Sequence, residues 1–486
     1  MRRLAAAAAA TCLAFAGSAV AAGAGASFAP NDPLAPRQWY LAQDHAFDLW
    51  SQTLPSLPGA GVRVAVVDSG IDGGHPDLAG RVVAAKSFVG GSPLTDEQGH
   101  GTFIAGEIAA STNNGLGISG IAFPAKLVVA KVVRPDREIP LEAETAAIRW
   151  AVGQGARVVN LSLGGLRDPT DPLRDSYSPL EARAIDYAVR HGVLVVAAVG
   201  NADQAPRVPW PFASYPAALP HVIGVSALAR DGSVPSFSDR DAVFNDLAAP
   251  GQDIFSTLPR RMTAGRPGCA DQGYSGCGPS DYLHASGTSF AAPQISAAAA
   301  LLLASDPALR PDQVSAILER TADDANASNG CRRCPLLRDS LSGWGRLNIA
   351  SALAALDGPL PPADRYEPND DAGARAFTLW GRTIRTRATI DYWDDPVDVY
   401  RVRVAAGQRL AVTVRGPGRS DVTLALWKPG TTSVFGAAAR PLVRKTGPGA
   451  AKQIVYRASV GGWYGLEVKL GSMTFGAYDL AIAKRT

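Results

Sequence analysis

Short apolar runs alternate with helical stretches through much of this sequence, and that alternation restricts the fold more than any other feature. Val62–Val67, Leu127–Val133, Val158–Leu163, Val193–Val199 and Val222–Leu228 read as buried strands. Glu142–Gly153, Leu180–His191 and Ser289–Ala304 carry helical spacing, with Ala146, Ala147, Trp150 and Ala151 expected on the buried side of the first. Strands apolar on both faces need cover on both faces. The expectation is therefore an α/β unit with a mostly parallel sheet and helices on either side.

The pattern changes after residue 357. Gly358–Asp371 holds four prolines without periodicity and reads as a linker. Beyond it Val399–Val404, Leu410–Val414, Val422–Trp427, Tyr464–Leu470 and Tyr478–Ala483 alternate with period two, punctuated by Gly and Pro. That is the signature of a smaller all-β sandwich or jelly roll over 372–486. A length of 486 residues also favours more than one domain. The net charge is only +3, and two of the positives, Arg2 and Arg3, stand at the very N-terminus. Such a balance gives no electrostatic reason to expect nucleic acid or an anionic membrane as partner.

Met1–Arg3, the apolar run Leu4–Ala16 and the small residues Ala19-Val20-Ala21 form the three parts of a secretory signal peptide, with cleavage expected after Ala21. Residues 22–57 follow as an N-terminal arm, and 58–357 as the main unit. No later run of 18 apolar residues offers a membrane anchor. The reading is an exported protein, extracellular or held in the periplasm or at the cell surface, and monomeric. Cys12 leaves with the leader, so four cysteines remain: Cys269, Cys277, Cys331 and Cys334. An even count in an oxidising compartment points to two disulfides, and of three pairings the local one, Cys269 with Cys277 and Cys331 with Cys334, is expected.

Three segments carry chemistry. Asp68 ends the first buried strand, in Val66-Val67-Asp68-Ser69-Gly70. His100, in Gly99-His100-Gly101-Thr102, opens a helix of small residues, and Ser289, in Gly287-Thr288-Ser289-Phe290-Ala291-Ala292-Pro293, opens the long apolar helix. A serine hydroxyl is a weak nucleophile until a base takes its proton, and an imidazole base needs an anion to hold its tautomer. Placing the serine at a helix start puts unpaired backbone N–H groups beside it.

These segments resemble the subtilisin-like serine proteases, the subtilases, in motif and in the order Asp, His, Ser. The resemblance covers roughly residues 31–357. It implies a secreted endopeptidase with Asp68, His100 and Ser289 as triad and Asn201, in Val199-Gly200-Asn201, as oxyanion donor. It further implies that the edge segment Leu161-Ser162-Leu163-Gly164-Gly165, with Leu163, Gly164 and Gly165 foremost, pairs with an extended protein or peptide substrate. Gly164-Gly165 and Ala197-Ala198 would help wall a primary pocket whose small residues suit a large apolar side chain, with Val199 and Gly200 as further substrate-binding candidates. No cofactor is required for this chemistry. The loop Ser111–Ile118 resembles the family's calcium loop, which makes Asp77, Asn114 and Gln38 candidate ligands of a structural calcium. Only a short arm precedes the first catalytic strand, where the family usually has a folding propeptide.

Tyr366-Glu367-Pro368-Asn369-Asp370 and Asp395-Pro396-Val397-Asp398-Val399-Tyr400 resemble the "pre-peptidase" C-terminal domain attached to many bacterial secreted proteases. Two other readings stay open beside the endopeptidase: a catalytically silent binding protein on the same fold, and a peptide ligase or cyclase using the same triad.

Overall fold

The computed structural model describes residues 27–263, 274–275, 281–361, 364–393, 395–418, 420–434, 440–472 and 474–485. The leader, Cys269 and Cys277 lie outside them.

Seven strands form one parallel sheet: β1 (Arg63–Asp68), β2 (Val82–Ser87), β3 (Lys126–Lys131), β4 (Ala156–Leu161), β5 (Leu194–Ala198), β6 (Val222–Leu228) and β7 (Leu247–Pro250). Their order is β2-β3-β1-β4-β5-β6-β7. The period-two geometry of β1 sends Val64 and Val66 to one face and Ala65 and Val67 to the other, and each pair joins a different core. The first face is covered by the helices His100–Ala109 and Ala292–Ser305. The second is covered by Leu141–Gly153 and Pro179–Arg190. On Leu141–Gly153 the buried residues include Ala143, Ala147, Ile148 and Ala151; Ala146 faces solvent, one position off the stripe read from sequence.

The stretch Thr288–Ser305 is long and apolar enough to cross a bilayer, but 89% of it is buried in the protein interior. Pro293 sits in the first turn of the Ala292–Ser305 helix, where its missing N–H costs nothing, and Thr288–Phe290 forms a separate 3-10 turn ahead of it. Ser289 is thus held on that turn and not inside a continuous helix.

From β1 the chain moves to one side of the sheet through β2 and β3, then to the other through β4 to β7. Such a reversal opens a crevice at the carboxyl ends of the central strands. Asp68 lies at the end of β1, Ser162 and Leu163 follow β4, and Asn201 follows β5.

The C-terminal unit is two smaller sheets. One orders Phe377–Thr378, Val397–Val404, Gly462–Leu470, Val422–Trp427 and Val443–Lys445; the other orders Thr383–Asp391, Phe475–Arg485, Arg409–Arg415 and Ala451–Arg457. Apart from the short first pair, all their pairings are antiparallel. They enclose Tyr400, Val402, Leu410, Val412, Leu424, Leu466 and Tyr478. Residues 364–371 run along this unit: Tyr366 joins its core, and Val399 N donates to Asn369 O at 2.6 Å.

Candidate active site

The strand end, the helix start and the turn meet around one cleft of about 220 Å³. Asp68 is 2% exposed, and its Oδ1 accepts from Ser69 N at 2.7 Å. Both of its carboxylate oxygens lie 2.9 Å from His100 Nδ1. This approach requires a glycine after the histidine, because a Cβ at Gly101 would collide with Gly70 O and press on Asp68. Burial alone would lower the His100 pKa. The charge and hydrogen bond of Asp68, with Asp96 adding a smaller push, outweigh it and lift the imidazole above its ordinary value.

Ser289 faces the same cleft, and Phe290 beside it packs on the His100 ring at 5.4 Å between centroids. Ser289 Oγ donates to Ser162 O at 3.1 Å and makes no hydrogen bond to His100. Catalytic hydrogen bonds of this kind are often long or unaligned until substrate binds. Asn201 accepts at Oδ1 from Thr288 N and Thr288 Oγ1, at 3.0 and 3.2 Å. With its oxygen so engaged, the amide N–H2 is the end left to face an incoming carbonyl.

Leu163, Gly164, Ala198 and Gly200 line the cleft with these residues. Gly165 is tied to Tyr215 by two backbone hydrogen bonds of 2.9 Å. Val199 turns its side chain into the core beneath. Sequence reasoning did not single out Ser214, Gln98 or Arg137, which complete the lining along with Ser162, Thr288, Val133 and Ile139. It also passed over Asp96, a buried carboxyl that accepts from Ser69 Oγ, Gln98 N, Gly99 N, Thr102 N and Thr102 Oγ1. No local signal marks it, because the residue immediately before the helix is Gly99 and Asp96 reaches the first turn from three positions further back.

The candidate calcium loop is ordered around two carboxylates. Asp77 Oδ2 accepts from Ile118 N at 2.9 Å, while its Oδ1 is buried without a hydrogen-bond partner. Burial raises this carboxyl above its usual range. Gln38 Oε1 accepts from Ser119 N, and Asn114 Oδ1 from Leu116 N. The second carboxylate, Asp32, accepts from the N–H groups of Asn113, Asn114 and Gly115 and from Ser119 Oγ.

A denser oxygen cluster lies at the C-terminal unit. Asp364, Glu367, Asp395 and Asp398 each bring an oxygen within 4.8 Å of the others. Glu367 Oε1, Asp395 Oδ1 and the neighbouring Asn369 Oδ1 are buried without partners. Burial first, and then mutual repulsion, push the Glu367, Asp395 and Asp398 carboxyls well above the ordinary range. This is a donor set that a structural metal ion fits. Cys331 and Cys334 are joined in a disulfide with Cα atoms 5.4 Å apart.

A buried carboxylate clamped on an imidazole, with a serine on a helix-leading turn across the same cleft, makes a serine hydrolase. Comparison with known proteins agrees. The model of the subtilase family, peptidase S8, matches residues 59–345. Thermitase of Thermoactinomyces vulgaris is 34% identical over 299 residues, covering 61% of this chain and 92% of that protein. Fervidolysin of Fervidobacterium pennivorans is 35% identical over 347 residues, covering 68% of this chain; the chain spans 45% of its length. Among solved structures, sphericase aligns with a TM-score of 0.52 and 29% identity, covering 65% of this chain and 99% of its own. The chain belongs to the subtilase family of serine proteases.

Proposed function

We propose that the chain is an exported serine endopeptidase that hydrolyses protein or peptide substrates through an acyl-enzyme. Asp68 orients His100 and stabilises the imidazolium; His100 takes the Ser289 proton as the hydroxyl attacks the scissile carbonyl. The developing oxyanion is received by Asn201 Nδ2 and the Ser289 backbone N–H. His100 then protonates the leaving amine, and later activates the water that releases the acyl group. Leu163 and Gly164 offer the edge along which an extended substrate pairs, and Ala198 and Gly200 wall the pocket beside the nucleophile; Gly165 and Val199 support that wall from behind. The observation that carries the reading is the two-oxygen contact of Asp68 with His100 Nδ1 at 2.9 Å, opening on the cleft that holds Ser289 and Asn201.

Export is supported by the leader pattern and by the Cys331–Cys334 disulfide, and a second bridge between Cys269 and Cys277 belongs to the same reading. The chain divides into arm, catalytic unit to about residue 357, and a pre-peptidase-type β domain. The all-oxygen clusters, Asp364–Glu367–Asp395–Asp398 with Asn369 and, separately, the Asp77 loop, favour calcium as the structural ion.

The test is labelling of purified protein with a fluorophosphonate, mass spectrometry of the adduct, and casein digestion, with Ser289→Ala alongside. Adduct at Ser289 with casein cleavage is the expected result. Adduct without cleavage redirects the reading to acyl transfer or a specialised substrate. Absence of adduct from folded, calcium-supplied protein overturns the enzyme reading in favour of a binding role.

A further inference from the structure

Behind the cleft wall sits a carboxyl group that the triad chemistry leaves unused. The inner part of the cleft is walled by Leu163, Gly164, Ala198, Gly200 and Ser214, and the only charged side chains in its described lining are Asp68, His100 and Arg137. Gly200 is the thin point of that wall. Its φ is +106°, and a Cβ built on it would collide with both Ser214 Oγ and Asp239 Oδ2. Those two oxygens therefore converge on the same spot beside Gly200, and Gly200 and Ser214 both face the cleft.

Asp239 is held there by the main chain, its N–H donating to Gly200 O at 3.1 Å. The residue is 1% exposed, and Oδ1 is buried without a hydrogen-bond partner. Among the described residues no basic side chain pairs with it. An unpartnered buried carboxyl costs stability, so its retention beside a substrate pocket asks for a ligand that would pair it.

We infer that Asp239 is a specificity-determining residue, directing the primary pocket to accept a lysine or arginine side chain on the N-terminal side of the scissile bond. The substrate's cation would lie against the Gly200–Ser214 wall, with Ser214 Oγ as the hydrogen-bonding group between it and the carboxylate. This rests on the serine-protease reading and departs from the large apolar side chain that the small wall residues imply by themselves.

Burial, then the charge of Asp203, push the Asp239 carboxyl up to about 8. Asp203 is the charged group that faces it from the turn after Asn201. On its own segment, Asp241 is paired with Arg167 at 2.8 Å, and the Arg240 guanidinium, its own pKa lowered by burial and by Arg333, is not an ion-pair partner of Asp239. With its carboxyl at about 8, Asp239 is mainly protonated in the free protein at neutral pH, and a bound cation favours loss of that proton. Discrimination for a basic side chain should accordingly strengthen as pH rises.

The test compares kcat/KM for two peptide nitroanilides that differ only in lysine or leucine before the cleaved bond, from about pH 6.5 to about pH 9, in wild type and Asp239→Asn. The lysyl-to-leucyl ratio is expected to exceed unity and to climb with pH. In Asp239→Asn it should fall by about tenfold or more and lose its pH dependence. Titration of His100 affects both substrates and cancels in the ratio. A leucyl preference at every pH, or a ratio unchanged in Asp239→Asn, overturns the inference while leaving the protease reading intact. Failure of the protease reading would silence both substrates, so benzamidine binding to Ser289→Ala is measured by calorimetry as well. Binding that weakens about tenfold on adding Asp239→Asn supports the inference, and absence of binding to Ser289→Ala overturns it.

Discussion

His100 stands between an anion that raises its pKa and a serine that needs it neutral, and this sets the acid limit of activity. Its folded pKa lies above the ordinary 6.5, so the base is lost as pH falls through that raised value. The kcat/KM profile is expected to fall off on the acid side at a pH above 6.5. Asp68→Asn removes the charge that lifts the imidazole and leaves the burial that lowers it. The acid limb should then move to lower pH while kcat drops by about 10⁴; a pH–rate series on a peptide nitroanilide reads both. Asn201→Ala tests the oxyanion donor. Removal of such a donor in a subtilisin costs about 10²–10³ in kcat with the loss confined to the transition state, so KM should change little. These residues were legible in the sequence because each lies in a local motif whose chemistry demands its neighbours. Asp239 was not, since its approach to Gly200 depends on how the chain after β6 returns beneath the cleft.

At the scale of elements, the buried strands β1, β3, β4, β5 and β6 were readable as apolar runs, but β2 and β7 were not. β2 mixes half-buried and exposed positions at the sheet edge without a fully buried residue, and β7 is only four residues long, so neither carries a hydrophobic signal of its own. The helix that presents His100 depends on Asp96, which accepts from Thr102 N and Thr102 Oγ1 in its first turn, from Gln98 N and Gly99 N just ahead of it, and from Ser69 Oγ. Asp96→Ala leaves those buried donors without an acceptor, at a cost of about 2 kcal/mol. Urea unfolding in the Ser289→Ala background, which prevents self-digestion, measures this. Asp96→Asn, which keeps an acceptor oxygen, should lose less. In the active protein, Asp96→Ala should also lower kcat, since the His100 ring is carried on the same turn.

The whole molecule is two units joined by polar and aromatic contacts. Arg320 of the catalytic unit pairs with Asp391 and lies over the Phe475 ring at 4.0 Å; His221 pairs with Asp370; Arg375 reaches Asp186 at 3.4 Å. Period-two spacing made the β unit visible from sequence. The convergence of Asp364, Glu367, Asp395 and Asp398 was hidden, because it arises only when 364–371 lies beside the strand Val397–Val404. That convergence bears on how the molecule holds together. Four carboxylates and an amide oxygen cannot share a buried space at neutral pH unless something neutralises them. A calcium ion would do so through oxygen donors alone, and it would fasten the 364–371 segment to the β unit at the point where that segment also meets His221. Chelation with EDTA at fixed pH is therefore expected to lower the melting temperature of Ser289→Ala protein by several degrees, and added calcium to restore it. Asp395→Asn with Asp398→Asn should remove most of that calcium response, while Asp77→Asn should remove a separate part belonging to the loop near residue 114. A chelator-insensitive melting curve in every variant would mean that protons, and not a metal ion, neutralise the cluster.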